Sequence, residues 1–285
     1  MSTSSGSITT FDGVTLRYIT AGNTSGPVLL LIPGWVQTAI QWRKQIAYFS
    51  TNYRVIAIDH RGQGDSDKPG RGYRITRLAA DLHEVITQLD LEDVTLCGHS
   101  MGCSVIWGYW DTFEASRKRV SRLILIDQSP CMIADPAWES GVAKSLGAIF
   151  THAKTLEMGA SLRAAGGHEF ASAFLRSLFS PLLSTEDFEW MVQQCSKMKL
   201  EDAAALLVNH AAQDWRDVLP TITVPTLVVG AEGSVMGGEC SRWIASQIPG
   251  SRVEIFEEDE GGSHFMFWEN DAKFNTIVEE FLQKR

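Results

Sequence analysis

The sequence predicts an α/β protein: a mainly parallel sheet covered on both faces by helices and interrupted by a helical insertion. Three observations carry this. Short apolar runs at residues 28–32, 53–58, 94–97 and 122–126, and again at 226–229 and 252–256, have the composition of strands, several of them continuous enough to be covered on both faces. Amphipathic helical patterns separate them, and strand–helix alternation makes neighbouring strands parallel. The alternation lapses between 131 and about 217, where helical patterns rich in Ala, Leu, Met and aromatics take over. The expected organisation is a core of residues 1–130 and 218–285 with a helical cap of 131–217.

Each element has its own warrant. Residues 8–20 alternate apolar and polar around the turn dipeptide Asp12-Gly13, a hairpin pattern. After a turn at 23–27, the strand at 28–32 ends in Pro33-Gly34-Trp35, and a helix is expected over 41–49. The strand at 53–58 ends in Asp59-His60-Arg61-Gly62-Gln63-Gly64-Asp65-Ser66. Leu78, Leu82, Val85, Ile86 and Leu89 form one face of an amphipathic helix. The strand at 94–97 runs into Gly98-His99-Ser100-Met101-Gly102, after which Val105, Ile106, Tyr109 and Trp110 recur at helical spacing. The strand at 122–126 ends in Asp127. Phe274, Ile277, Val278, Phe281 and Leu282 mark a last amphipathic helix.

A formal net charge of −9 argues against nucleic acid or an anionic membrane as partner. No apolar run approaches the ~20 residues that span a bilayer, and residues 1–10 have neither the basic nor the apolar segment of a signal peptide. Five scattered cysteines without a C-x-x-C suggest a reducing compartment and no structural zinc. The expectation is a cytoplasmic monomer or homodimer that acts on a small molecule without a cofactor or metal.

Gly98-His99-Ser100-Met101-Gly102 is an instance of G-x-S-x-G, and its strand–turn–helix context gives it weight. The tight turn holds the Ser100 hydroxyl out of the sheet, at a helix N-terminus whose free N–H groups suit a developing oxyanion. The glycines of Asp59–Ser66 invite a phosphate-cradle reading, but no G-K-[ST] follows, and they are read as loop geometry. Asp59 and Asp65 have no His/carboxylate cluster at ligand spacing.

Together with Pro33-Gly34-Trp35, Asp59–Ser66 and Gly262-Ser263-His264-Phe265, the G-x-S-x-G turn makes the sequence resemble the α/β-hydrolase superfamily over nearly its whole length. The resemblance implies an eight-stranded, mostly parallel sheet with a helical cap inserted after the sixth strand. It includes esterases, lactonases, carbon–carbon hydrolases and so-called cofactor-free haloperoxidases.

Ser100 is the expected nucleophile, and His264, the one histidine after the last strand, the expected base. Most of the superfamily carries the acid three residues after the Gly ending the seventh strand, which here is Gly233 and holds no carboxylate. Asp127, at a strand end, is favoured over the displaced Glu232, because the acid must hold the imidazole in one tautomer. The N–H groups of Trp35 and Met101 are the expected oxyanion donors. Trp35, His99, Trp138, Trp190 and Phe265 are the candidate substrate contacts. His60 is expected to bond backbone, His83 to be solvated, and His152, His168 and His210 to lie on the cap surface.

These residues fit ester or lactone hydrolysis of a small, mostly uncharged apolar or aromatic substrate through an acyl-serine. An acid after the sixth strand resembles that of fungal lactonases that open macrolide toxins. It also resembles cofactor-free dioxygenases that cleave 3-hydroxy-4-oxoquinolines, although Met101 and Gln37 stand where those enzymes carry histidines. A non-catalytic receptor on the same fold is a third reading. Epoxide or haloalkane hydrolysis would need Asp where Ser100 stands.

Overall fold

The computed structural model describes residues 3–139 and 141–284. Its strands are β1 (Ser4–Thr9), β2 (Thr15–Ala21), β3 (Val28–Ile32), β4 (Arg54–Ile58), β5 (Val94–His99), β6 (Val120–Ile126), β7 (Thr226–Ala231) and β8 (Arg252–Phe256). They form one sheet of order β1-β2-β4-β3-β5-β6-β7-β8. The hairpin β1–β2 and the β2–β4 pair are antiparallel; β3 to β8 are mutually parallel. The chain reverses its direction across the sheet between β3 and β5. Such a switch point opens a crevice beyond the carboxyl ends of the strands.

The core helices are α1 (Arg43–Phe49), α2 (Ile75–Gln88) and α3 (Met101–Thr112). Between β6 and β7 lie α4 (Val142–Ser145), α5 (His152–Arg163), α6 (Gly167–Arg176), α7 (Thr185–Cys195) and α8 (Leu200–Ala211). The chain closes with α9 (Gly238–Gln247), the short α10 (Met266–Glu269) and α11 (Asp271–Gln283). Strand β3 shows why two layers of helix are needed. Val28, Leu30 and Ile32 pack towards α2, α3 and α9, while Leu29 and Leu31 pack towards α1 and α11. Side chains alternate across a strand, so five consecutive apolar residues are all buried only if both faces are covered. The cap contributes to both apolar clusters, with Ala203 and Leu206 of α8 in one and Met191 of α7 in the other.

The loop after β4 is a structural brace. Arg61 is fully buried and forks onto Asp81 of α2, at 2.6 and 2.7 Å, and onto Asp12 of the β1–β2 turn, at 2.9 Å for both contacts. The guanidinium holds the Asp12 carboxyl well below the usual carboxylate range. Gly62 and Gly64 have φ of +82° and +49°, and a Cβ at Gly64 would lie 2.1 Å from the Asp59 carboxyl group. The Asp59 carboxylate in turn accepts the Ala39 and Asp65 N–H groups at 2.7 and 2.9 Å.

His83, expected to be solvated, is half-buried: one face of its ring stacks on Phe113, 4.2 Å between centroids. No helix of the described residues is long and apolar enough to cross a membrane.

Replacing Arg61 with Met removes one guanidinium shared by two carboxylates and leaves buried Asp81 with Arg77 as its remaining ion-pair partner. The expected loss of unfolding free energy is about 3 kcal/mol. Lys144→Ala, which opens an exposed pair with Glu239, should leave the urea midpoint where it was. Urea titrations of both variants at neutral pH measure the contrast.

Candidate active site

Ser100 lies between β5 and α3, at the N-cap of the helix. Its φ and ψ are 53° and −127°, a strained combination for a residue with a side chain. Packing enforces the bend. A Cβ on Gly102 would lie 2.3 Å from the Ile32 carbonyl oxygen of β3, and one on Gly98 would lie 2.7 Å from the Gly102 backbone. Two more residues with side chains take positive φ nearby: Val36 at 55° after β3, and Asp127 at 47° after β6. Among the described residues only five non-glycine positions have positive φ. Three of them fall at the carboxyl ends of adjacent central strands, where strain marks candidate functional positions.

Asp127 meets the loop that follows β8. His264 Nδ1 lies 2.6 Å from Asp127 Oδ2, and both side chains are buried. The same Oδ2 accepts a hydrogen bond from the Ser234 hydroxyl; Asp127 Oδ1 has no partner among the described residues. The His264 loop is pinned from two sides. Its N–H donates to Leu178 O of the cap at 3.2 Å. The Glu269 carboxylate accepts hydrogen bonds from the hydroxyls of Ser263 and Ser180. Glu232, the alternative acid, is not at the histidine. It pairs with Arg242 at 2.6 Å on the rim of α9, because one residue of displacement along the β7 loop turns its side chain to that helix. Ser234 was not singled out from the sequence. Its nearest signal is a hydroxyl next to Gly233, where the acid usually stands.

The loop after β3 is held by side-chain amides. Gln63 Oε1 accepts the Val36 N–H at 2.9 Å, and its Nε2 donates to Gly34 O and Gln37 O at 3.1 and 2.8 Å. His60 Nε2 lies 3.1 Å from Pro33 O. Burial drives its pKa down to about 4, so the neutral ring donates there. Gln37 Oε1 accepts the Gly34 N–H at 2.6 Å. That bond orients the amide, so Nε2 donates to His99 Nδ1 at 2.9 Å. His99 then carries its proton on Nε2 and donates it to His264 O at 2.7 Å. Burial first, and His264 second, keep His99 well below the ordinary histidine pKa. Among the described residues the N–H groups of Trp35 and Met101 have no protein acceptor.

Ser100 and His264 line one cavity beneath the cap, walled by Phe150, Phe174, Leu178, Leu207, Met236 and Phe265 among others. Among the described residues Ser100 Oγ has no hydrogen-bond partner. Trp35 lines this cavity and also an apolar cleft on its other side, bounded by Ala171, Val192, Leu200 and Ala203. Its indole N–H donates to Ala203 O of α8 at 2.8 Å, and its ring meets Phe174 edge-on.

Of the five candidate substrate contacts, Trp35 and Phe265 line the cavity and three residues do not. His99 is wholly buried behind Gln37 and His264. Trp138 lies under the Arg216 guanidinium, 5.1 Å from its ring. Trp190 stacks on Trp268, 5.0 Å between centroids, with Arg43 over it. Both are half-buried tryptophans whose helix or loop turns them to cation–aromatic stacks on the outside. His210, expected on the surface, is instead 3% exposed and lines the cavity.

Gln37 and His99 should therefore be energetically coupled. A double-mutant cycle of Gln37→Leu and His99→Phe, read by urea unfolding, is expected to give a coupling energy of about 1–2 kcal/mol; additive losses would show that the chain of bonds is not formed.

Residues 27–271 match the family model described as the alpha/beta hydrolase fold. The chain is 32% identical to a soluble epoxide hydrolase of Corynebacterium sp., over 85% of this chain and 87% of that one. It is 27% identical to 3-oxoadipate enol-lactonase 2 of Acinetobacter baylyi, over 96% of each. Among solved structures, an esterase from Exiguobacterium antarcticum superposes with a TM-score of 0.86 at 26% identity, covering 98% of this chain and 99% of the other. With its sheet order, its capped crevice and its G-x-S-x-G turn all accounted for, the chain belongs to the alpha/beta hydrolase fold family.

Proposed function

We propose that the protein is a serine hydrolase that opens an ester or lactone of a small, mostly uncharged apolar or aromatic substrate through an acyl-serine intermediate. The observation that carries the reading is the contact between His264 Nδ1 and the strand-end carboxylate of Asp127, in a loop that also brings His264 to the cavity of Ser100. Asp127 fixes the imidazole so that Nε2 is the free nitrogen, and stabilises the imidazolium once a proton arrives. His264 takes the Ser100 proton as Oγ attacks the carbonyl carbon, then returns it to the departing alkoxide. The Trp35 and Met101 N–H groups receive the charge that builds on the carbonyl oxygen. Water, activated by the same imidazole, releases the acid and restores Ser100.

Proton transfer requires Oγ and Nε2 within about 3.2 Å, a contact that often closes only around substrate. Ser234 acts through Asp127: its hydroxyl occupies Oδ2 beside the imidazole and holds the carboxylate in place. The apolar walls favour an uncharged substrate, since a charge moved there would lose its hydration without an ion-pair partner. Similarity to an esterase and an enol-lactonase supports ester or lactone chemistry over other reactions of the family. The epoxide hydrolase relative does not redirect the reading, because Ser100 occupies the nucleophile position where epoxide opening would need a carboxylate.

A fluorophosphonate probe should label the native protein and fail to label Ser100→Ala. On any aryl ester the native protein turns over, Asp127→Asn should lower kcat by roughly 10⁴-fold, while Glu232→Gln stays within about twofold. Labelling that persists in Ser100→Ala, or a larger loss in Glu232→Gln than in Asp127→Asn, would overturn the assignment.

A further inference from the structure

We propose that His210 is a specificity-determining residue that hydrogen-bonds a hydroxyl group on the cap-facing side of the substrate. The inference deepens the hydrolase reading and rests on it for the place of the scissile bond.

The cavity has few polar side chains, and most are committed. Ser100 and His264 are the reacting pair. The Gln37 amide is used at both ends, on the Gly34 N–H and on His99. The Trp35 indole N–H is spent on Ala203 O. His210 remains. It sits near the end of α8, one turn beyond Leu207, which lines the same wall. Its ring is 3% exposed, and its Nδ1 has no hydrogen-bond partner among the described residues.

A buried polar atom left without a partner is costly, and native proteins keep few of them. Here the ring borders the space a substrate would fill. Burial pushes its pKa down to about 3, so the ring stays neutral at physiological pH. A neutral ring favours a neutral polar partner over a carboxylate. A neutral imidazole offers one donor and one acceptor nitrogen. A hydroxyl satisfies either, whichever tautomer is present, whereas a carbonyl or ether oxygen can only accept. The rest of the cap wall, including Phe150, Phe174 and Leu207, offers apolar contact alone. The substrate class that fits is a hydroxylated aromatic or alicyclic ester or lactone.

The test uses methyl benzoate and its 2-, 3- and 4-hydroxy derivatives as probes, with binding measured by calorimetry at pH 6.5 on the Ser100→Ala protein. At least one hydroxy isomer should bind about tenfold more tightly than methyl benzoate. The preference should fall to about twofold or less when His210→Phe is added, and be retained in part by His210→Asn. His210→Ala provides the same comparison if the Phe variant does not fold. Equal binding of all four probes, or a preference that survives in a folded Phe or Ala variant, would overturn the proposal. Because Ser100→Ala binds without turnover, this outcome is independent of the fluorophosphonate result that decides the hydrolase reading.

Discussion

The Gln37 amide stands between a backbone N–H and an imidazole, and both its ends are committed. Through it, Gly34 after β3, His99 at the end of β5 and His264 after β8 form one hydrogen-bonded chain. Three segments far apart in sequence therefore share a common reference. Each bond in the chain is buried, where a missing partner is costly and a made bond is directional. The chain also explains why His99 is a histidine facing away from the cavity. It must accept on one nitrogen and donate from the other, which a neutral imidazole does and a carboxylate or a phenyl ring does not.

Around this chain the backbone is held in conformations it would not choose. Val36, Ser100 and Asp127 all have positive φ, and such conformations cost on the order of 1–3 kcal/mol each. The surrounding contacts over-determine them. Gln63 secures Val36, the Ser100 N–H donates to Ile126 O at 2.8 Å, and the Asp127 N–H donates to Val229 O at 2.9 Å. In the latter two the sheet's own hydrogen bonding continues one residue past the strand and then releases the chain. The side chains are thus presented at the crevice by elements that have no freedom to withdraw them.

Much of this is legible in the sequence, and the division follows from range. Period and punctuation in the sequence place β3 to β8, α2, α3 and the G-x-S-x-G turn, because each depends on neighbours within about ten residues. The Asp127 preference also followed from a local fact, a carboxylate at a strand end. Trp138 is misjudged because nothing local fixes its direction in the loop before α4, and Trp190 because an aromatic on a cap helix looks the same whether it faces in or out. The rotation of that helix is set by distant partners such as Arg43 and Trp268. His210 was misjudged for the same reason in the opposite direction. Ser234, Gln37 and Gln63 act through hydrogen bonds to atoms 26 to 107 positions away, and no sequence pattern encodes such a pairing.

Trp35 belongs mechanically to two parts of the molecule. Its backbone lies in the braced loop beside Ser100, and its indole is fastened to a carbonyl of α8. A displacement of α8 that stretches the indole bond pulls on the loop carrying the Trp35 N–H. Admitting a guest by lifting the roof would thus slacken the apparatus that attacks it, and reseating the roof would tighten it again. In the proposed acyl transfer, such a latch would confine chemistry to the closed enclosure.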